Sequence, residues 1–195
     1  MDAPHRAPGD TERSPGDATG PEAPSAPRGT FVLTRDFSAP RADVFRAFAE
    51  PGLRARWFRL PGRTATAEHR LDFRVGGEAV ARNVFSSGGV EEHLENQSRF
   101  LDLVPDERFV FAYTALVNGV RRWVSLVTVE LADEAGGSRL SWTEHYSYLV
   151  TTGDGSRDVA HLRGGTALLL NGLSAVVEPD RHRGPRPIAT PPPPA

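Results

Sequence analysis

Apolar residues along this chain recur mostly at every second position, and at helical spacing in only two places. "TFVLTRDF", residues 30–37, reads as a first strand. Pro40 then suits the first turn of a helix, and Val44, Phe45 and Phe48 form a short apolar stripe. A second brief helix follows Pro51 and runs toward Trp57 and Phe58. Alternating or apolar runs come next, at about 65–74, 78–86, 90–103, 107–116, 121–132 and 138–149. The links between them ("RVGGE", "SSGG", "VPDE", "VNG", "DEAGGS") are short, which favours antiparallel pairing of successive strands. From Arg157 to Glu178 the period changes, and Leu162, Thr166, Leu169, Leu173, Val176 and Val177 share one helical face. Asp154 and Ser156 are the predicted caps of this helix. Seven strands and one long terminal helix imply an α+β fold: a curved antiparallel sheet wrapped around the helix, with two short helices after the first strand.

Proline marks the boundaries of that domain. Six of the 17 prolines precede residue 29 and seven lie from Pro179 onward. The pattern therefore predicts one domain over 30–178 between two disordered tails, 1–28 and 179–195, neither of which has the apolar surface to fold.

Composition removes several function classes. With no cysteine there is no thiolate nucleophile, disulfide or Cys-ligated zinc. All 23 basic residues are arginine, so lysine Schiff bases and a P-loop lysine are absent as well. Together with a single isoleucine, Ile188, this bias reads as a GC-rich, bacterial genome. A net charge of −2 gives no basic excess, so nucleic acid is not an expected partner. There is no signal-like or membrane-spanning run, and the expected location is the cytoplasm, without membrane insertion. No G-x-S-x-G, H-E-x-x-H or G-x-G-x-x-G motif occurs.

One stretch, "SWTEHYSYL" at 141–149, poses a chemical problem. On a strand, Trp142, Glu144, Tyr146 and Tyr148 share one face, and Thr143, His145 and Ser147 the other. If the first face looks inward, a carboxylate lies among three large aromatics and must be hydrogen-bonded, paired, protonated or beside a wet cavity. Trp123, Ser125, Val127, Val129 and Leu131 share a face of the preceding strand in the same way.

The pieces "FSAPRADVFRAFAEPGLRARWF", "LDFRVGGE", "LDLVPDERFVFAY", "VSLVTVEL", "GGSRLSWTEH" and "GGTALLLNGL" together resemble the START-like superfamily of helix-grip proteins. They are most similar to the branch named after the C-terminal domain of the activator of the heat-shock-chaperone ATPase. The resemblance covers about 30–178 and implies a deep, mostly apolar cavity between sheet and terminal helix, with no cofactor and no shared catalytic set. The sequence departs from relatives at His145, where Gln is usual, and at Leu162-Arg163, where Arg-Glu is usual. An Asp usual after the tyrosine-rich stretch is missing near Val150.

In such a fold the residues expected to meet a ligand are Trp57, Phe58, Tyr113, Trp123, Ser125, Trp142, Glu144, Tyr146, Tyr148, His161 and Gly165. Two readings of Glu144 are open. Unpaired in an apolar cavity, it would favour the protonated form and could donate to a ligand; alternatively it pairs with an arginine and serves register. Gly164 and Gly165, costing about 1 kcal/mol each against alanine inside a helix, either pack closely on the sheet or leave room for a ligand. His145 is expected to face away from Glu144. His93 with Glu91 and Glu95 shares a strand face, but one histidine with two flexible carboxylates is a poor metal site. The expected function is binding of a hydrophobic small molecule such as a polyketide, lipid or aromatic metabolite, for sequestration or self-protection. The alternatives are a polyketide cyclase or dehydratase using Glu144 as general acid–base, and a chaperone-associated protein with a protein partner.

Overall fold

A computed structural model describes residues 26–179, so both predicted tails fall largely outside the described residues. Seven strands form one antiparallel sheet: β1 (Arg28–Phe37), β2 (Glu68–Leu71), β3 (Glu78–Ser87), β4 (Val90–Val104), β5 (Arg108–Val117), β6 (Val120–Glu134) and β7 (Gly137–Tyr148). Strands β2 to β7 pair in chain order, and β1 joins the far side of β7. Helices α1 (Arg41–Ala49) and α2 (Pro51–Trp57) fill the passage from β1 to β2, and α3 (Asp158–Val177) ends the fold.

Turn chemistry explains the sequential pairing. At Asn118-Gly119 both residues take positive φ, 51° and 76°, the conformation of the tight turn whose twist matches two antiparallel strands. The predicted strand over 65–74 is cut to β2, because a 3-10 turn occupies Thr64–Thr66 and residues 72–77 turn back on themselves. Two bulges bend the sheet, one at Leu101 in β4 and one at Arg122 in β6.

The predicted caps of α3 are corrected. Asp154 spends its Oδ1 on Ser156, accepting from both its backbone N–H and its hydroxyl. Arg157 takes the cap position without a side-chain bond. Asp158, in the first turn, accepts the Thr152 N–H at 2.8 Å and suits the positive end of the helix. At the other end Glu178 accepts from the backbone N–H and hydroxyl of Ser38, fastening α3 to the chain just beyond β1.

Inner-face rings build the core. Phe48 of α1 packs on Phe109 at 4.7 Å between centroids, Phe73 on Phe100 at 4.8 Å, and Phe111 on Trp142 at 5.6 Å. Truncating fully buried Phe109 to alanine would cost about 3–5 kcal/mol on cavity arguments. The backbone of α3 approaches α1, α2 and β1, whereas no Cα of α3 comes within 8 Å of one in any other described strand. Side chains alone must fill the space beneath it.

Candidate functional site

Strand alternation puts Glu144 on the inner face of β7, and it is completely buried. Cross-strand register brings its partners. Glu144 lies opposite Val127 of β6, which places Ser125 diagonally, and Ser125 is opposite Tyr113 of β5. Tyr113 donates its hydroxyl proton to Oε1 at 2.6 Å and Ser125 donates to the same oxygen at 2.8 Å. The Trp142 indole N–H donates to Oε2 at 2.9 Å. The Thr166 hydroxyl of α3 lies 3.4 Å from Oε2 and 3.2 Å from the Leu162 carbonyl, with a single proton to give. Trp123 in turn donates to the Tyr113 hydroxyl at 2.9 Å.

This resolves the two readings of Glu144, and neither holds as framed. The carboxyl is neither alone in an apolar cavity nor paired with an arginine; neutral donors from three strands converge on it. Every proton points inward along a chain, Trp123 to Tyr113 to Glu144, and such chains polarise one another in a low dielectric. Burial and then the neighbouring carboxylate push the Tyr113 hydroxyl well above its ordinary pKa, holding it as a donor.

The other expected residues separate into groups. Tyr148 is buried and spends its hydroxyl on the Asp158 carbonyl at 2.7 Å, joining β7 to the start of α3; burial, followed by Asp158, raises its pKa. Tyr146 is half-buried and makes no side-chain hydrogen bond among the described residues, with its hydroxyl 2.8 Å from the place a Cβ on Gly29 would take. Trp57 donates its indole N–H to the Ala47 carbonyl at 2.9 Å, tying α2 to α1. His161 and Gly165 are exposed on α3. His145 faces outward, as alternation predicts, and its Nδ1 lies 2.7 Å from the Thr30 hydroxyl. No metal-holding cluster is found among the described residues, and Glu95 is engaged by Arg82 at 2.9 Å.

Gly164 and Gly165 do not pack closely on the sheet: a Cβ on either would meet nothing within 4 Å. Gly165 nevertheless lies two turns before Gly172, on the stripe that faces α2, where a Cβ would meet the Trp57 carbonyl at 3.2 Å. Along the paired middle of β3 and β4 the inner face carries Ala79, Ala81, Asn83, Asn96 and Ser98, with Phe100 following on β4, in contrast to the successive rings over β5 and β7. An open depression of about 810 Å³ is lined mainly by outward-facing residues such as Val80, Thr114, Val124, Leu126 and His145 and bordered also by Ala79, Ser98, Tyr113, Ser125 and Tyr146.

Sequence reasoning missed Arg54. It precedes Trp57 and Phe58 by three and four residues, so on α2 it shares their inward face. Only 1% of it is exposed, and its Nε and Nη1 have no hydrogen-bond partner among the described residues. Three rings surround the guanidinium, Phe58 at 4.1 Å, Trp57 at 4.8 Å and Phe48 at 5.3 Å. Such contacts contribute about 0.5–2 kcal/mol each, against a desolvation cost of several kcal/mol for a buried ion. Burial lowers the Arg54 pKa to about 9, leaving it charged at neutral pH. Half-buried His69 of β2, whose ring centre is 6.0 Å from that of Phe58, is lowered to about 4 by burial and then by Arg54. The legible signal was the i, i+3, i+4 spacing of an arginine with two aromatics.

The family model described as "Activator of Hsp90 ATPase homolog 1-like protein" matches residues 38–178. The fold recurs in a putative uncharacterized protein from Rhizobium leguminosarum, 31% identical, with a TM-score of 0.68 over 80% of this chain and 98% of that one. It recurs in the Mll3558 protein from Rhizobium loti, 35% identical, with a TM-score of 0.67 over 78% and 99%. CalU16 from Micromonospora echinospora shares the fold alone, at 19% identity and a TM-score of 0.52 over 79% of each chain. No curated protein matches the chain. A matched span covering every strand but β1, with all three helices, and helix-grip neighbours over nearly their full length lead to one statement: the chain belongs to the family of activator of Hsp90 ATPase homolog 1-like proteins, within the START-like superfamily.

Proposed function

We propose that this protein binds a hydrophobic small molecule between the inner face of β3–β4 and helix α3. The observation that carries the reading is the shortage of side-chain volume there. Ala79, Ala81 and Ser98 are buried small side chains on the inner face of β3 and β4, and Gly165 of α3 carries no side chain and has open space at its Cβ position. Close packing is the rule in protein interiors, so an inner face furnished with small residues is a place suited to a ligand. Phe58, against His69 of β2, lies at the neighbouring end of the sheet as an apolar wall.

No observation favours general acid–base catalysis by Glu144. Its oxygens already accept three short hydrogen bonds, and a substrate would have to displace a donor to reach them. Glu144 serves here as the knot that holds β5, β6, β7 and α3 in register.

The test is Gly165→Leu. Space is open at that Cβ, and leucine is the better helix former by about 0.8–1 kcal/mol, so the variant should melt higher than the wild type. It should also lose at least tenfold in affinity for an octanamide or naphthol probe measured by calorimetry. Unchanged affinity in a well-folded Gly165→Leu protein would remove the binding site from this location.

A further inference from the structure

Among the described residues, Arg54 is a buried cation with no counter-ion, and the fold around it supplies none. It comes from α2, between α3 on one side and β2 on the other. The groups packed against it are Phe48 of α1, Trp57 of α2, Phe58 directly after it, and His69 of β2. None of these carries a negative charge. Glu68, next to His69, is exposed and turned to Arg82 at 3.6 Å. Structural arginines in interiors usually spend their five donors on carbonyls or carboxylates, and this one leaves Nε and Nη1 unspent.

We propose that Arg54 is the anchor for an anionic head group, and that the ligand of this protein is an amphipathic carboxylate. The apolar body lies along the small-residue face of β3–β4, and the carboxylate meets the guanidinium within the ring cage. This rests on the binding reading above for the apolar part alone. One buried cation balances one negative charge, which fits a carboxylate and leaves a dianionic phosphate in excess. His69, neutral at physiological pH, adds a ring N–H able to donate to the second carboxylate oxygen without adding charge. Loop 59–67, which runs on from Phe58 to β2, is fixed by Asn83, which donates to the Leu60 carbonyl at 2.9 Å and accepts from the Thr66 hydroxyl at 2.6 Å. Opening that loop is the route by which an otherwise enclosed guanidinium would be reached.

The experiment compares octanoate with octanamide on the full chain by calorimetry at pH 7.5 and constant ionic strength. The wild type should bind octanoate at least tenfold more tightly. Arg54→Met should erase that preference while retaining octanamide, and Arg56→Met, an exposed arginine on the same helix, should leave it intact. Arg54→Gln, which keeps donors and removes charge, covers the case in which methionine disturbs folding, and should also lose most of the preference. Equal binding of acid and amide by the wild type overturns the inference and leaves the binding reading standing. Binding of neither probe overturns both. A preference that survives at Arg54→Met or Arg54→Gln assigns the anion to another residue.

Discussion

Glu144 and Arg54 are the two most deeply buried charged side chains among the described residues, and they are opposites in how their surroundings treat them. Glu144 is met by three close neutral donors drawn from three strands, with a fourth hydroxyl within reach. Arg54 is met by three aromatic faces, and its Nε and Nη1 meet no acceptor among the described residues. The first arrangement is complete, since each carboxylate oxygen is satisfied within the fold. The second is unfinished, since a guanidinium presents N–H groups in a plane that ring faces do not fill. A complete polar site holds a structure together; an unfinished one is where something else is accommodated.

The comparison breaks first at Glu144. Replacing it with alanine leaves the Tyr113, Ser125 and Trp142 donors without an acceptor and opens a cavity beneath α3, and should cost about 3–5 kcal/mol in urea denaturation. Glu144→Gln keeps the shape. Its carbonyl can accept from Trp142 while its amide donates to hydroxyls that rotate, so the cost should fall to about 1–2 kcal/mol. Equal losses for the two substitutions would show that volume, rather than hydrogen bonding, is what matters at this position.

Arg54 should respond with the opposite sign. In the absence of ligand, Arg54→Met exchanges an unpaired buried ion for an apolar chain of similar length, and stability should hold or rise by up to about 2 kcal/mol. A loss as large as that of Glu144→Ala would make Arg54 an ordinary structural residue and end the contrast. The smallest effect concerns pH. The folded-state pKa of His69, about 4, lies below the ordinary 6.5, so the unfolded chain takes up this proton first as pH falls. Stability from this group is therefore complete above about pH 6.5 and is lost progressively toward pH 4. His69→Asn should flatten that part of a melting-temperature profile relative to the wild type.

Much of this was legible in the chain. Alternation in "SWTEHYSYL" separated Trp142, Glu144 and Tyr148 from outward His145, and the structure has them so. Seven strands, two short helices after the first strand and one long terminal helix follow from periodicity, with errors confined to ends: β2 is shorter than predicted and α3 is capped differently. The identity of Glu144's neighbours was not legible. Tyr113 and Ser125 lie 31 and 19 residues away in sequence. Spacing says which face a side chain takes, whereas a diagonal partner depends on the register of two hairpins and on the bulge at Arg122.

Arg54 marks the limit most sharply. On a seven-residue helix, arginine reads as a solvated residue, and Arg56 on the same turn is one. What buries Arg54 is the docking of α2 between α3 and β2, contacts that join parts of the chain far apart in sequence. Periodic sequence by itself determined the strands, the helices and the inward faces, because each is a local consequence of backbone geometry. Which inward charge would find partners and which would be left without them was decided only in the packed fold, because a counter-charge is a matter of distance in space.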